Sequence, residues 1–114
     1  MSAITTHVLD TARGCPAAGV RVTLEYGDRD ERWDVVGHGV TDANGRLRTL
    51  LPDADAPLPG VYRLRFDVRT YFEPFGVRSF FPHVVVTFEV SAGDGHYHVP
   101  LLVSPFGYTT YRGS

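Results

Sequence analysis

Cysteine is nearly absent: Cys15 is the only one in the 114 residues. A lone thiol cannot close an internal disulfide or supply a thiolate cluster for a metal, and it fits a reducing compartment. Long apolar runs are missing too, and nothing approaches the roughly 20 residues a helix needs to cross a bilayer. Residues 1–10 hold no basic segment leading into an apolar one, so no secretory leader is read there. The last residues, Tyr111-Arg112-Gly113-Ser114, are not a peroxisomal address. The expectation is a cytoplasmic protein. A formal net charge of −2 leaves no basic footprint for nucleic acid and no polybasic patch for a membrane surface. A Gly-rich phosphate loop, a nucleophile elbow and a dinucleotide fingerprint are likewise missing.

What is present reads as all-β. At this length the chain is expected to form one domain, residues 1–114, able to bury roughly two-thirds of its unfolded surface without a disulfide or structural metal. Residues 20–26 alternate Val20, Val22 and Leu24 against Arg21, Thr23 and Glu25, and residues 61–68 alternate Tyr62, Leu64 and Phe66 against Arg63, Arg65 and Asp67. That is the pattern of half-buried strands. Further runs fall at residues 3–9, 33–40, 46–49, 80–90, 96–104 and 108–112. Arg13-Gly14-Cys15-Pro16 breaks the first, Asn44-Gly45 suits a tight hairpin turn, and residues 27–32, 51–59 and 91–95 read as loops. Residues 70–75 lack strand alternation and suit a short helix. About seven or eight short strands with frequent turns predict a two-sheet sandwich.

The run at 96–104 breaks the one-face rule of such a sheet. Tyr97, Val99, Leu101 and Val103 make an apolar face, but His96, His98, Pro100 and Leu102 make an opposite face that is also partly apolar. An exposed apolar sheet face predicts association, here with a second copy of the chain. In the first run Thr5, His7 and Leu9 share a face, and in the last run Thr109, Tyr111 and Gly113 do. If these strands are neighbours, His7, His98 and Tyr111 form a polar cluster floored by Leu9, Pro100 and Leu102.

Four segments carry a resemblance that spans nearly the whole chain. They are Ile4-Thr5-Thr6-His7-Val8-Leu9-Asp10-Thr11, Gly39-Val40-Thr41-Asp42-Ala43-Asn44-Gly45-Arg46, the run from His96-Tyr97-His98-Val99-Pro100 to Pro105, and the terminal Tyr111-Arg112-Gly113-Ser114. In this order they resemble the 5-hydroxyisourate hydrolases of the transthyretin-like family. The terminal tetrapeptide is the most specific of them, because the hormone carrier transthyretin shares the scaffold and lacks that ending. Val68-Arg69-Thr70 departs from the family's usual pattern.

The resemblance implies a transthyretin-like sandwich with one short helix. It implies a homotetramer, a dimer of dimers with active sites where dimers meet. The implied activity is opening of an amide-type C–N bond of 5-hydroxyisourate on the route from urate to allantoin. The product would be 2-oxo-4-hydroxy-4-carboxy-5-ureidoimidazoline, with no cofactor and no metal. Carried over by motif, His7, Arg46 and His98 are the catalytic residues. Tyr111 and Ser114, through its hydroxyl or terminal carboxylate, join those three in holding substrate. Neutral imidazole can take a proton from water near neutral pH, and a nearby cation keeps it neutral. Arg46 offers planar donors to imide-like oxygens. Which histidine activates water stays open, and His96 is either a supporting residue or a solvated edge position. His38, His83 and Cys15 read as surface or turn residues without chemistry. The competing readings are a carrier of small aromatic ligands, a metal site on His96, His98 and His7, and a plain binding module.

Overall fold

In each alternating run one set of side chains does turn inward. Val22, Leu24, Leu64 and Phe66 are at most 1% exposed, whereas Arg63 and Arg65 turn outward to the Glu25 carboxylate at 3.0 and 3.9 Å. The computed structural model describes residues 3–27, 32–52 and 57–114. The centres of two expected loops, residues 28–31 and 53–56, lie outside the described residues. In chain order the strands are β1 (Ile4–Asp10), β2 (Cys15–Pro16), β3 (Arg21–Gly27), β4 (Trp33–Val40), β5 (Arg46–Leu47), β6 (Gly60–Phe66), β7 (Val84–Val90), β8 (Tyr97–Ser104) and β9 (Gly107–Thr110). A short helix, α1 (Val68–Phe72), and a 3-10 turn, Glu73–Phe75, stand between β6 and β7.

One sheet has the order β4-β3-β6-β7 and the other β2-β1-β8-β9, with β5 also pairing β1. The inner faces meet in one core. Ile4 and Val8 of β1 and Leu101 and Val103 of β8 show no exposure, and Phe72 of α1 shows only 2%. Burying each such side chain contributes about 1.5–3 kcal/mol. The two-sheet sandwich with one short helix expected from the residues is therefore the fold.

Several local expectations change. Cys15-Pro16 does not simply break the first strand: it turns back and pairs with Leu9 and Asp10. Asn44-Gly45 makes a tight turn, with Gly45 at φ +75, but no hairpin within one sheet. It carries the chain from β4 in one sheet to β5 in the other. Val68 opens the helix rather than ending a strand, because the Asp67 carboxylate accepts from the Thr70 N–H and caps it. The strand expected from Phe80 begins at Val84. Pro100 is buried in the chain itself, not exposed. It is flanked by His7 across β1 and by the returning tail, since a Cβ on Gly113 would lie 3.3 Å from its ring.

The helix is tied down by one buried hydrogen bond. Asp10, 1% exposed, accepts from the Ala12 and Arg13 N–H groups with one carboxylate oxygen. Its other oxygen accepts from the Tyr71 hydroxyl at 2.8 Å. Burial, then the Asp10 carboxylate, pushes the Tyr71 hydroxyl up to about 12, so it remains a donor at any working pH. Tyr71→Phe leaves a buried carboxylate oxygen short of a partner and should cost about 1–3 kcal/mol in urea unfolding. Turnover per folded molecule should not change, because Tyr71 lies on the core side of β1.

Candidate active site

The outer face of the β1–β8 sheet collects the residues singled out in the sequence. β1 and β8 run parallel, with Thr5 opposite His98, His7 opposite Pro100 and Leu9 opposite Leu102. His7 and His98 are therefore diagonal neighbours on one face, with Cα atoms roughly 8 Å apart from strand spacing and rise. On the other side of β1, His7 faces Arg46 across an antiparallel pair, so their Cβ atoms are about 5 Å apart. Sequence alternation could place these residues on faces. It could not show that β1 and β8, far apart in the chain, lie side by side.

The position of Arg46 comes from the turn before it. One Asp42 carboxylate oxygen accepts from the Asn44 N–H at 2.8 Å and the Arg46 N–H at 3.0 Å, and the Asp42 carbonyl accepts from the Gly45 N–H. Those hydrogen bonds, the Arg46 N–H foremost, hold the Asp42 carboxyl below its ordinary value. The same turn aims the Asn44 carbonyl at His7, whose Nε2 lies 2.9 Å away. A carbonyl oxygen only accepts, so Nε2 of His7 carries hydrogen. In the neutral ring Nδ1 is then the free lone pair. Asp42 thus organises both His7 and Arg46.

His98 is half-buried and held from two sides. Thr5 Oγ1 is 2.8 Å from its Nδ1. The tail rejoins the sheet beside it, the Gly113 N–H donating to the His98 carbonyl at 2.7 Å. Burial first, then the charges of Arg46, His7, His96 and Arg48, keep His98 below the ordinary histidine value of 6.5. The ring is therefore neutral near pH 7. Its second nitrogen, Nε2, is left for the adjoining cleft of about 210 Å³, which Thr5, Arg46, Arg48, His96, His98 and Ser114 line together with Thr6.

His98, Arg46 and Ser114 thus meet at one cleft; His7 is not among the residues that line it and stands opposite Arg46 across the β1–β5 pair. Tyr111 does not line this cleft in the single chain. The tail leaves the β9 ladder after Thr110 and returns only at Gly113. Its ring is 56% exposed and borders a neighbouring cleft between the β7 and β9 edges. His96 hydrogen-bonds Thr5 at 3.2 Å, while His38 and His83 are exposed elsewhere. Thr5 and Arg48 were not among the residues expected, although strand period placed Thr5 on the face of His7 and Arg48 two residues beyond Arg46. Among the described residues, no three His, Cys, Asp or Glu side chains gather as a metal-ion set. The triad of His7, His96 and His98 weighed from the sequence is not assembled as ligands, because Nε2 of His7 turns to the Asn44 carbonyl.

The pattern of the HIUase/Transthyretin family matches residues 4–113. A 5-hydroxyisourate hydrolase of Salmonella dublin is 45% identical over 111 residues, covering 97% of this chain and 80% of that one. The solved 5-hydroxyisourate hydrolase of Klebsiella pneumoniae superimposes with a TM-score of 0.85 at 35% identity, covering all of both chains. Transthyretin from Sparus aurata gives 0.90 at 34% identity, covering 99% of this chain and 97% of that one. Backbone likeness is thus as close to a carrier as to a hydrolase, and the distinction falls to the side chains of the cleft.

Proposed function

The chain belongs to the HIUase/Transthyretin family, and from that premise we infer that its cleft is the site of 5-hydroxyisourate hydrolysis. The protein is a hydrolase acting on 5-hydroxyisourate, as its relatives' names indicate. The observation that carries this over the carrier reading is the joining of a neutral His98 and the cation of Arg46 at one cleft. A carrier that only holds small aromatic ligands needs no neutral imidazole beside a guanidinium.

We assign the chemistry as follows. Water adds to a ring carbonyl, the C–O bond forms, the C–N bond breaks, and the departing nitrogen takes a proton. Nδ1 of His7, the free lone pair, takes the proton of the attacking water. Arg46 donates to the oxygen on which charge develops, a contribution of about 10²–10³-fold in comparable sites. Nε2 of His98 serves the departing nitrogen. The Ser114 hydroxyl holds substrate from the tail, and Tyr111, exposed in the single chain, acts at the rim of the assembled site. No step calls for a cofactor or metal.

One domain, residues 1–114, performs this, in a homotetramer built as a dimer of dimers. The supports are two open edges, β7 and β9, flanking one cleft, and exposed Phe106, Tyr108 and Tyr111. Edge strands left unpaired invite pairing with a second copy. The outer face that holds the site then meets the second dimer. No described helix is long and apolar enough to cross a membrane. A cytoplasmic setting is proposed on the single half-buried thiol, Cys15, and neither a nucleic acid nor a membrane partner is proposed.

The test is direct. 5-Hydroxyisourate is generated from urate with urate oxidase, and its ultraviolet decay is followed with and without the protein. Accelerated decay supports the reading, whereas decay at the spontaneous rate with well-folded protein overturns it in favour of the carrier. The His98 ring should take up its second proton only below pH 6.5, because burial and then the neighbouring cations disfavour the imidazolium. Arg46→Gln removes a cation that disfavours the imidazolium, so protonation of His98 should move to higher pH, as NMR titration of the ring in both proteins would show.

A further inference from the structure

Thr5 is 3% exposed, yet its side chain leaves the core and stands between two imidazoles. Its Oγ1 is 2.8 Å from Nδ1 of His98 and 3.2 Å from Nε2 of His96. A hydroxyl has one hydrogen, so it can donate to only one of these nitrogens and must accept from the other. The tautomers of the two rings are therefore tied. In one arrangement His96 Nε2–H donates to Thr5, Thr5 donates to Nδ1 of His98, and His98 carries its proton on Nε2, toward the cleft. In the other, His98 carries its proton on Nδ1 and donates to Thr5, Thr5 donates to Nε2 of His96, and Nε2 of His98 is bare.

We propose that Thr5 is a positioning residue that joins His96 and His98 into a proton relay, keeping the His98 ring neutral while its Nε2 gives a proton to the substrate. The proposal rests on the hydrolase reading, in which His98 serves the departing nitrogen. A neutral imidazole that gives up its one ring proton becomes an anion unless its other nitrogen gains a proton in the same step. Burial first, then the nearby charges of Arg46, His7, His96 and Arg48, leave the His98 ring neutral, so that problem is real here. The relay solves it with a balanced transfer. Nε2 of His98 gives its proton to the ring nitrogen as the C–N bond breaks, and the Thr5 hydroxyl gives its proton to Nδ1 of His98. Nε2 of His96 gives its proton to Thr5, and Nδ1 of His96 takes one from water. Both rings end neutral with the proton on Nδ1, and the hydroxide left in solvent is neutralised by the proton that His7 took from the attacking water. Once product leaves, Nε2 of His98 takes a proton from water in the cleft and the chain runs back, releasing one from Nδ1 of His96. His96 is exposed, as the solvent end of such a chain must be, and Thr5 is buried, as its middle must be.

The test compares Thr5→Val, which keeps shape and removes the hydroxyl, with Thr5→Ser, which keeps the hydroxyl, and His96→Phe, which breaks the chain at its exposed end without touching the core. Long-range proton–nitrogen NMR reads which ring nitrogen of His98 carries hydrogen. The expected result is a wild-type His98 protonated on Nε2 and a mixed tautomer in Thr5→Val. In Thr5→Val and His96→Phe kcat should fall at least about tenfold with little change in KM, and Thr5→Ser should restore it. Should Thr5→Val fail to fold, His96→Phe decides alone. Wild-type kcat in a folded Thr5→Val or in His96→Phe, or an unmoved His98 tautomer in Thr5→Val, overturns the relay while leaving the hydrolase intact. A wild-type protein without activity overturns the hydrolase reading and the relay with it.

Discussion

His98→Asn should lower kcat on 5-hydroxyisourate by about 10²–10⁴-fold, the usual contribution of a positioned acid–base group. The Asn amide can still reach the Thr5 hydroxyl from the position of Nδ1, so local hydrogen bonding survives. What it lacks is Nε2, the nitrogen that turns to the cleft. A half-buried position exchanged for a smaller polar one should leave the melting temperature nearly unchanged, which separates loss of chemistry from loss of fold. Steady-state kinetics on enzymatically generated substrate, beside a thermal melt, measures both. Full activity in the variant would remove His98 from the reaction and leave His7 and Arg46 to carry it. Because His98 is neutral near pH 7, the loss should also persist at higher pH, where a residue acting only as a cation would no longer count.

In β1, β3, β6 and β8 the residues expected on faces lie on those faces, and for a simple reason; Tyr111 does not, because β9 ends at Thr110 before reaching it. Strand alternation is local, so Thr5, His7 and Leu9 share a side whatever else the chain does. The sandwich was legible for the same reason: Val22, Leu24, Leu64 and Phe66 announce their inward faces by period alone. What the residues alone could not yield was adjacency. The parallel pairing of β1 with β8 sets Thr5 against His98, and no local signal marks it; only the family resemblance anticipated that His7 and His98 would meet. The Asn44-Gly45 turn misled in the same way. Its chemistry specified a tight turn correctly, but whether the next strand returns to the same sheet is decided by which edge is free to pair. β5 finds its place on β1. Pro100 is covered not by a second copy but by the tail of its own chain, thirteen residues on at Gly113, which no local pattern announces. Thr5 was missed because a strand threonine is ordinary until two imidazoles are seen on either side of its hydroxyl.

Gly113→Ala is the second change expected to have a large effect, although it adds a single methyl group. Gly113 bridges His98 in the sheet, so its missing side chain lies on the face that carries the imidazole. A Cβ there would stand 2.7 Å from Cδ2 of His98 and 3.3 Å from Cγ of Pro100, closer than carbon atoms approach without something moving. Pro100 is locked in the strand and flanked by His7. The tail itself is tied back by the Gly113 N–H to the His98 carbonyl. The imidazole is the softer partner, and it can retreat only by turning Nδ1 away from Thr5 and Nε2 away from its place in the cleft. Displacement of a reacting group by about 1 Å typically costs on the order of 10²-fold. That is the loss expected in kcat/KM, with a melting temperature close to wild type because the affected segment lies at the edge of the fold. Parallel kinetics and melting of Gly113→Ala check it. A tail that simply swings aside would instead leave the rate unchanged. In that case the apposition of Gly113 and His98 would not persist in the working protein, and the roles proposed for Tyr111 and Ser114 would fall with it.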